Sequence, residues 1–193
     1  MGIARVRVLG VLAISLTLDA GVSAQVAIKG ADDSPPVATV SAGGQVRQQY
    51  ERFANEEWGA ETPDDNGYWL QRYMFHLDAR ISRRLRLYGE LKSGIEVGRA
   101  GGPRPPDEDQ LDVHQGFVDV SLGPVAARVG RQELAFGSQR LVSVRERPNV
   151  RQTFDGASVV VLQSRWRVDA FGARYVSTEV GVFDDSSNVG RAL

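Results

Sequence analysis

From Tyr68 to Ile81 the odd positions hold Trp69, Gln71, Tyr73, Phe75, Leu77, Ala79 and Ile81, while the even ones include Arg72, His76, Asp78 and Arg80. A period of two sustained over that length puts an apolar set and a charged set on opposite faces of one extended strand. The next segment repeats it, with Leu85, Leu87, Leu91, Ile95 and Val97 on one face and Arg86, Tyr88, Glu90, Lys92 and Glu96 on the other. Only Ser82, Arg83 and Arg84 separate the two runs, so they are expected as a hairpin. Both runs exceed the roughly five or six residues usual in soluble sheets, and both reach the roughly nine to eleven that a tilted strand needs to cross a bilayer.

Further pairs follow. Val113 to Leu122 and Ala126 to Phe136 flank the tight Gly123-Pro124 turn, after a long loop from Gly98 to Asp109. Phe154 to Gln163 and Trp166 to Val176 have only Ser164 and Arg165 between them, and Val37 to Phe53 supplies a first strand. That makes about seven strands, with short turns alternating with long loops as periplasmic turns and extracellular loops do. Tyr68, Trp69, Tyr73, Phe75, Trp166, Phe171 and Tyr175 lie near strand ends, where interfacial aromatic girdles belong. The expected fold is all-β: a transmembrane antiparallel β-barrel of the outer membrane, of which this chain supplies about the first seven strands. A soluble β-sandwich with one wet face, or a small lipocalin-like barrel, gives a similar alternation.

Arg5 and Arg7 precede an apolar run from Val8 to Leu18, and Val22 and Ala24 occupy small-residue positions before Gln25. This predicts a signal peptide over residues 1–24, cleaved near Ala24/Gln25, for export to the outer membrane of a Gram-negative cell. Residues 25–36 carry Gly30, Asp32, Asp33, Pro35 and Pro36 and read as a flexible periplasmic leader; residues 37–193 form the barrel domain. The net charge of −1 gives no reason to expect a nucleic-acid partner. There is no cysteine, which removes disulfides and thiolate metal sites, and His76 and His114 are the only histidines. No serine sits in a nucleophile elbow, so acyl-transfer chemistry lacks its usual parts, and neither enzyme activity nor a cofactor is expected. His76 with Asp78, and His114 with Asp112, read as polar lumen pairs rather than metal ligands. Asp184-Asp185-Ser186-Ser187-Asn188 lacks the glycine and distal glutamate of a calcium loop and reads as solvated.

Several motifs carry a resemblance. Gly130-Arg131-Gln132-Glu133-Leu134, Phe136-Gly137-Ser138-Gln139-Arg140-Leu141, Arg145-Glu146, Pro148-Asn149-Val150-Arg151 and Phe154-Asp155-Gly156 stand in one run. Leu111 to Asp119 precedes it and Gly181 to Ser187 follows. In these stretches, from about Tyr68 onward, the chain resembles the alginate export family of outer-membrane porins. The resemblance implies a secreted barrel with more than twice the strands visible here and an aqueous lumen. It also implies transport of an acidic polysaccharide past a positive constriction. Its partners would be that polymer or small anions, outer-membrane lipids, the barrel assembly machinery and a periplasmic export partner. The chain ends at Arg191-Ala192-Leu193 without a terminal strand closed by an aromatic, so it is expected to be the N-terminal part of a longer barrel.

Of the 23 basic residues only Lys29 and Lys92 are lysines, a bias that suits bidentate carboxylate recognition and that a GC-rich genome also produces. If the apolar face meets lipid, Arg72, Arg80, Arg86 and Lys92 face the lumen. Arg128, Arg131, Arg140, Arg145 and Arg151 form a denser basic set, the expected anion-contacting constriction. Two bland alternatives stand beside this: Arg131 pairs with Glu133 along its strand, and Arg145, Glu146, Arg147 and Asp155 form a solvated loop network. Arg128 and Arg131 cannot share a strand face unless a bulge intervenes at Gly130. A general or differently selective porin, or an adhesive surface barrel acting through Gly98 to Asp109, is the alternative function.

Overall fold

The computed structural model describes residues 14–18, 26–28, 38–52, 66–140 and 142–192. Ten strands form one antiparallel sheet: β1 Ile14–Leu18, β2 Val26–Ile28, β3 Ala38–Glu51, β4 Tyr68–Arg80, β5 Leu85–Val97, β6 Asp109–Leu122, β7 Val125–Gln132, β8 Phe154–Leu162, β9 Arg167–Ser177 and β10 Ser186–Ala192. From β3 to β10 every strand pairs with its neighbour in sequence, and β1 and β2 lie along the other edge of β3. Among the described residues nothing pairs β10 back to β1 or β3, so the sheet is open. The cleavage position Ala24/Gln25 lies outside the described residues. β1 falls within the segment expected as signal peptide and β2 within the expected leader.

The seven expected strands are β3 to β9, with two corrected ends. β6 begins at Asp109 rather than Val113, because the segment 180–183 bonds to its exposed start: the Gln110 and Leu111 amides donate to Val180 O and Gly181 O. β7 stops at Gln132 rather than Phe136, because Leu134 and Phe136 turn inward and pack with Val142 on Phe154, Phe171 and Ala173. The register through β7 is regular on both sides, so no bulge occurs at Gly130. One register shift falls between β9 and β10, and two fall between β5 and β6. There Glu90 faces Gln115 and Leu91 faces Val113, which leaves His114 as the extra residue.

Short turns join β4 to β5, β6 to β7 and β8 to β9. In the first, Ser82 Oγ accepts from the Arg84 and Leu85 amides at 3.2 and 3.1 Å. In the second, Gly123 takes φ 58°, a conformation that needs glycine. The longer loops 98–108 and 133–153 lie at the opposite end.

Polarity is inverted relative to a soluble sheet. Among the described residues thirteen buried side chains are polar or charged and nine are apolar. Trp69, Phe75, Leu77, Leu87, Val118, Val129 and Val159 are exposed. A soluble sandwich or a lipocalin-like barrel needs an apolar interior, so this distribution excludes both. It is the arrangement of strands whose outer face meets hydrocarbon.

The aromatic girdle is partly corrected. Trp69, Tyr73, Phe75 and Trp166 are exposed, but Tyr68 is buried beneath Arg99 and donates to Glu51 at 2.8 Å. Phe171 and Tyr175 belong to the inner cluster with Leu134 and Phe154. Their even spacing from Arg167 places them on the inner face, whereas nearness to a strand end had put them in the girdle.

Phe75→Arg, at the middle of the outer face of β4, is expected to destabilise the folded protein by about 2–4 kcal/mol, measured as loss of the heat-modifiable band from outer-membrane extracts. Ser41→Arg, on the inner face opposite Asp78, is expected to leave that band intact.

Candidate functional site

The register of β3 to β7 puts Arg47, Arg72, Arg80, Arg86, Lys92 and Arg128 on one face. Pairing with acids organises this inner wall. Asp78 accepts both forks of Arg86 at 2.8 and 3.0 Å. Asp119 accepts Arg86 at 3.2 Å and holds Arg128 bidentately at 2.7 and 2.9 Å. The Arg128 guanidinium lies 3.6 Å from the Phe117 ring centroid. Phe117 stacks on Tyr88, and Tyr88 on His76, so one aromatic ladder crosses three strands beneath the cations. His76 thus belongs to this ladder and not to a pair with Asp78.

At the loop end, buried Lys92 lies 2.6 Å from both Asp109 and Asp185. Arg131 holds Asp155 bidentately at 2.9 and 3.2 Å and reaches Asp112 at 3.4 Å. The expected Arg131–Glu133 pair is therefore corrected: β8 brings Asp155 directly opposite Arg131, which is nearer than an acid two residues along the same strand. Glu133 meets His114 at 2.8 Å and Arg151 at 3.3 Å. His114 does not pair with Asp112, whose Oδ2 accepts from the Asp185 amide. Asp112, Asp184 and Asp185 bring oxygens within 4.8 Å of one another. Lys92 and Arg131 lie against two of the three, so the cluster already has its countercharge.

The most constrained part of the wall is a like-charge pair. Arg47 and Arg72 are direct cross-strand partners, and both are buried. Such neighbours repel unless something negative lies between them. The loop 133–153 supplies it, folding across the inner face to reach them. Arg72 donates to the Glu146 carboxylate at 2.5 Å, to Asn149 O at 2.7 Å and to Pro148 O at 2.8 Å; Arg47 donates to Glu146 O at 3.0 Å. Arg151 donates to the other Glu146 oxygen at 2.5 Å. The fully buried Asn149 amide fastens the strap further, donating to Gln71 O at 2.9 Å, Asp107 O at 3.0 Å and Ile95 O at 3.3 Å. Gly94 lies beneath this crossing; a Cβ there would stand 2.9 Å from Val150 Cγ2.

The loop network expected of Arg145, Glu146, Arg147 and Asp155 is thus corrected in its membership. Glu146 is tied to the wall, and Asp155 belongs to Arg131. Arg80, Arg140 and Arg145 are exposed and make no hydrogen bond or salt bridge to described residues. Arg47, Asp107 and Asp109 were not singled out from sequence, and Asn149 stood out only as part of the Pro148-Asn149-Val150-Arg151 motif, with no role attached. Arg47 was accessible to parity, since the odd positions of β3 (Thr39, Ser41, Gln45, Arg47, Gln49, Glu51) are polar while Val40, Ala42 and Val46 alternate with them. No local pattern gives the partners of Asn149, which lie 42 to 102 residues away.

An antiparallel sheet with lipid-type residues outward and ion pairs inward defines a protein of the outer-membrane β-barrel class. The model of the alginate export family matches residues 38–190, and the chain belongs to that family, which is one of transport proteins rather than enzymes. No curated protein and no solved structure matches it.

Asn149→Ala is expected to leave strand carbonyls unpaired at a cost of about 1–3 kcal/mol and to raise the open population of the strap roughly 5- to 150-fold. Trypsin cleavage at Arg145, Arg147 and Arg151 measures it. Burial alone would raise the Glu146 carboxyl, but its bonds to Arg72 and Arg151 outweigh burial and hold it below its ordinary value of 4.5. A lowered folded-state pKa contributes stability above the unfolded value, lost as pH falls through the folded one. Deuterium uptake over 145–151, corrected for intrinsic rate, should therefore be steady above pH 4.5 and rise below it. Glu146→Gln should remove that pH dependence.

Proposed function

We propose that this protein passes an acidic polysaccharide of alginate type, or small anions, across the outer membrane through an arginine-lined lumen. The observation that carries this reading is the gathering of Arg47, Arg72, Arg80, Arg86, Lys92 and Arg128 on the face opposite the apolar one. Cations along a water-filled wall lower the barrier for a polyanion, and the acids paired with Arg72, Arg86, Lys92 and Arg128 keep the residence of any one carboxylate short. In this reading Arg80, Arg86 and Arg128 line the wall, Arg131 closes its loop end, and Arg140, Arg145 and Arg151 stand on the strap over the passage. Arg72 and Lys92 have a different part: both are buried, and they hold the strap and the 180–185 segment in place. The protein would reach the membrane by a cleaved signal peptide and the barrel assembly machinery, with a periplasmic partner delivering polymer to the short-turn side.

A second reading has one specific observation in its favour. Arg86, Lys92, Arg128 and Arg131 are each matched by a carboxylate. A wall so balanced suits a general porin of weak selectivity.

The reversal potential of the full chain in a planar bilayer under a salt gradient, with and without a short oligouronate, separates the two. Anion selectivity with block by the oligomer is expected, and the double variant Arg86→Gln, Arg128→Gln should shift selectivity severalfold toward cations by leaving Asp78 and Asp119 uncompensated. Weak selectivity without block would favour the general porin. Cation selectivity without block would remove acidic polymers as cargo.

A further inference from the structure

The β4–β5 turn closes one side of a recess of about 450 Å³. Its walls include Thr39, Arg80, Arg83, Arg84, Arg86 and Ser121. Apart from Leu85, the first residue of β5, the strand residues of its walls belong to the inner face: Thr39 is opposite Arg80, Arg80 is opposite Arg86, and Ser121 lies two positions from Asp119, the partner of Arg86. The recess therefore opens on the lumen side, at the end of the sheet that carries the short turns. The turn is held in place, since Ser82 Oγ caps two of its amides and the Ser121 amide donates to Arg84 O at 2.8 Å.

What distinguishes this place is the state of its cations. Arg86 on the recess wall, and Arg72, Lys92 and Arg128 beyond it, each hold a carboxylate of the protein. In the recess the guanidiniums of Arg80, Arg83 and Arg84 hold none by hydrogen bond or salt bridge among the described residues, and all three are exposed. Asp119 is the one acid on the recess wall, and it is already engaged by Arg86 and Arg128. Three exposed guanidinium forks, with no hydrogen-bonded or salt-bridged acid among the described residues, stand beside two half-buried hydroxyls. That set matches a ligand with carboxylates and hydroxyls on adjacent units.

Resting on the transport reading above, we propose that this recess is a docking site for the carboxylates of a uronic-acid polymer at the short-turn mouth of the lumen. The site captures the chain before it meets the paired arginines of the wall. Its free cations raise local polymer concentration at the mouth, while the neutralised ones beyond let it pass. Arg83 and Arg84, which the sequence marks only as turn residues, thereby become substrate-contacting.

The test is one-sided block of single channels of the full chain by a short oligouronate. The chain has no cysteine, so Ser164→Cys in the third short turn, labelled by an impermeant thiol reagent from one chamber, fixes the orientation. Block is expected at lower oligomer concentration from the short-turn side. The pair Arg83→Gln, Arg84→Gln should raise that concentration roughly five- to tenfold without altering block from the loop side. The charge-keeping pair Arg83→Lys, Arg84→Lys should retain the side difference, which separates lost charge from a damaged turn. Equal block from both sides, or an unaltered side difference in the glutamine pair, overturns the docking site and leaves the transport reading standing. So does loss of the side difference in the lysine pair. No block from either side overturns the transport reading itself. If sulfate abolishes the side difference at the same anionic charge, the recess is a site for small inorganic anions, and the polymer assignment falls.

Discussion

A strand that crosses hydrocarbon finds no water on its outer face, so every charge it carries must point the other way. That constraint crowds the cations of β3 to β7, Arg131 apart, onto a single surface, where neighbouring strands lie within direct Coulomb reach of one another. Asp78, Asp119 and Asp109 answer most of them from one strand away. Arg47 and Arg72 have no such acid opposite, because each faces the other. The loop 133–153 resolves the conflict by bringing a carboxylate and several carbonyls to them from far along the chain. The crossing of a long loop over the inner face thus relieves the repulsion of two arginines.

The loop end depends on irregularity in β6. Two register shifts against β5 leave extra residues in the strand, and Asp109, Asp112 and His114 become buried there together. The same shifts leave the start of β6 beyond the reach of β7, which ends at Gln132, and the segment 180–183 completes its hydrogen bonding instead. Lys92 then has acids from both β6 and that segment. At the opposite end the turns are too short to supply such partners, which is why the arginines of the β4–β5 turn remain uncommitted. The β4–β5 turn thus leaves exposed cations at one end of the wall, while Lys92 at the other is enclosed by Asp109 and Asp185.

Much of this was legible in the residues. The alternation of Trp69, Tyr73, Phe75 and Leu77 with Arg72, His76, Asp78 and Arg80 is enough to assign both faces of β4, and the hairpin to β5 has the ends that its turn residues predict. The incompatibility of Arg128 and Arg131 on one face also held, since the regular register opposes them to Asp119 and Asp155 on alternate positions. Where parity and nearness along the chain misled, they did so by proximity. Glu133 is the nearest acid to Arg131 along the chain, yet Asp155 is its partner; Phe171 and Tyr175 lie near a strand end, yet they point inward to cover Phe154.

The sequence by itself determined which side chains face lipid and which face the interior, because a period of two is a local property that each strand carries without reference to the others. Tertiary structure alone decided how the interior charges are shared. Arg47 and Asn149 are 102 residues apart, and Arg72 and Glu146 are 74 apart. Their meeting depends on the register of five strands and on the path of a loop. Those are fixed by the free energy of the whole assembled sheet, not by any segment within it.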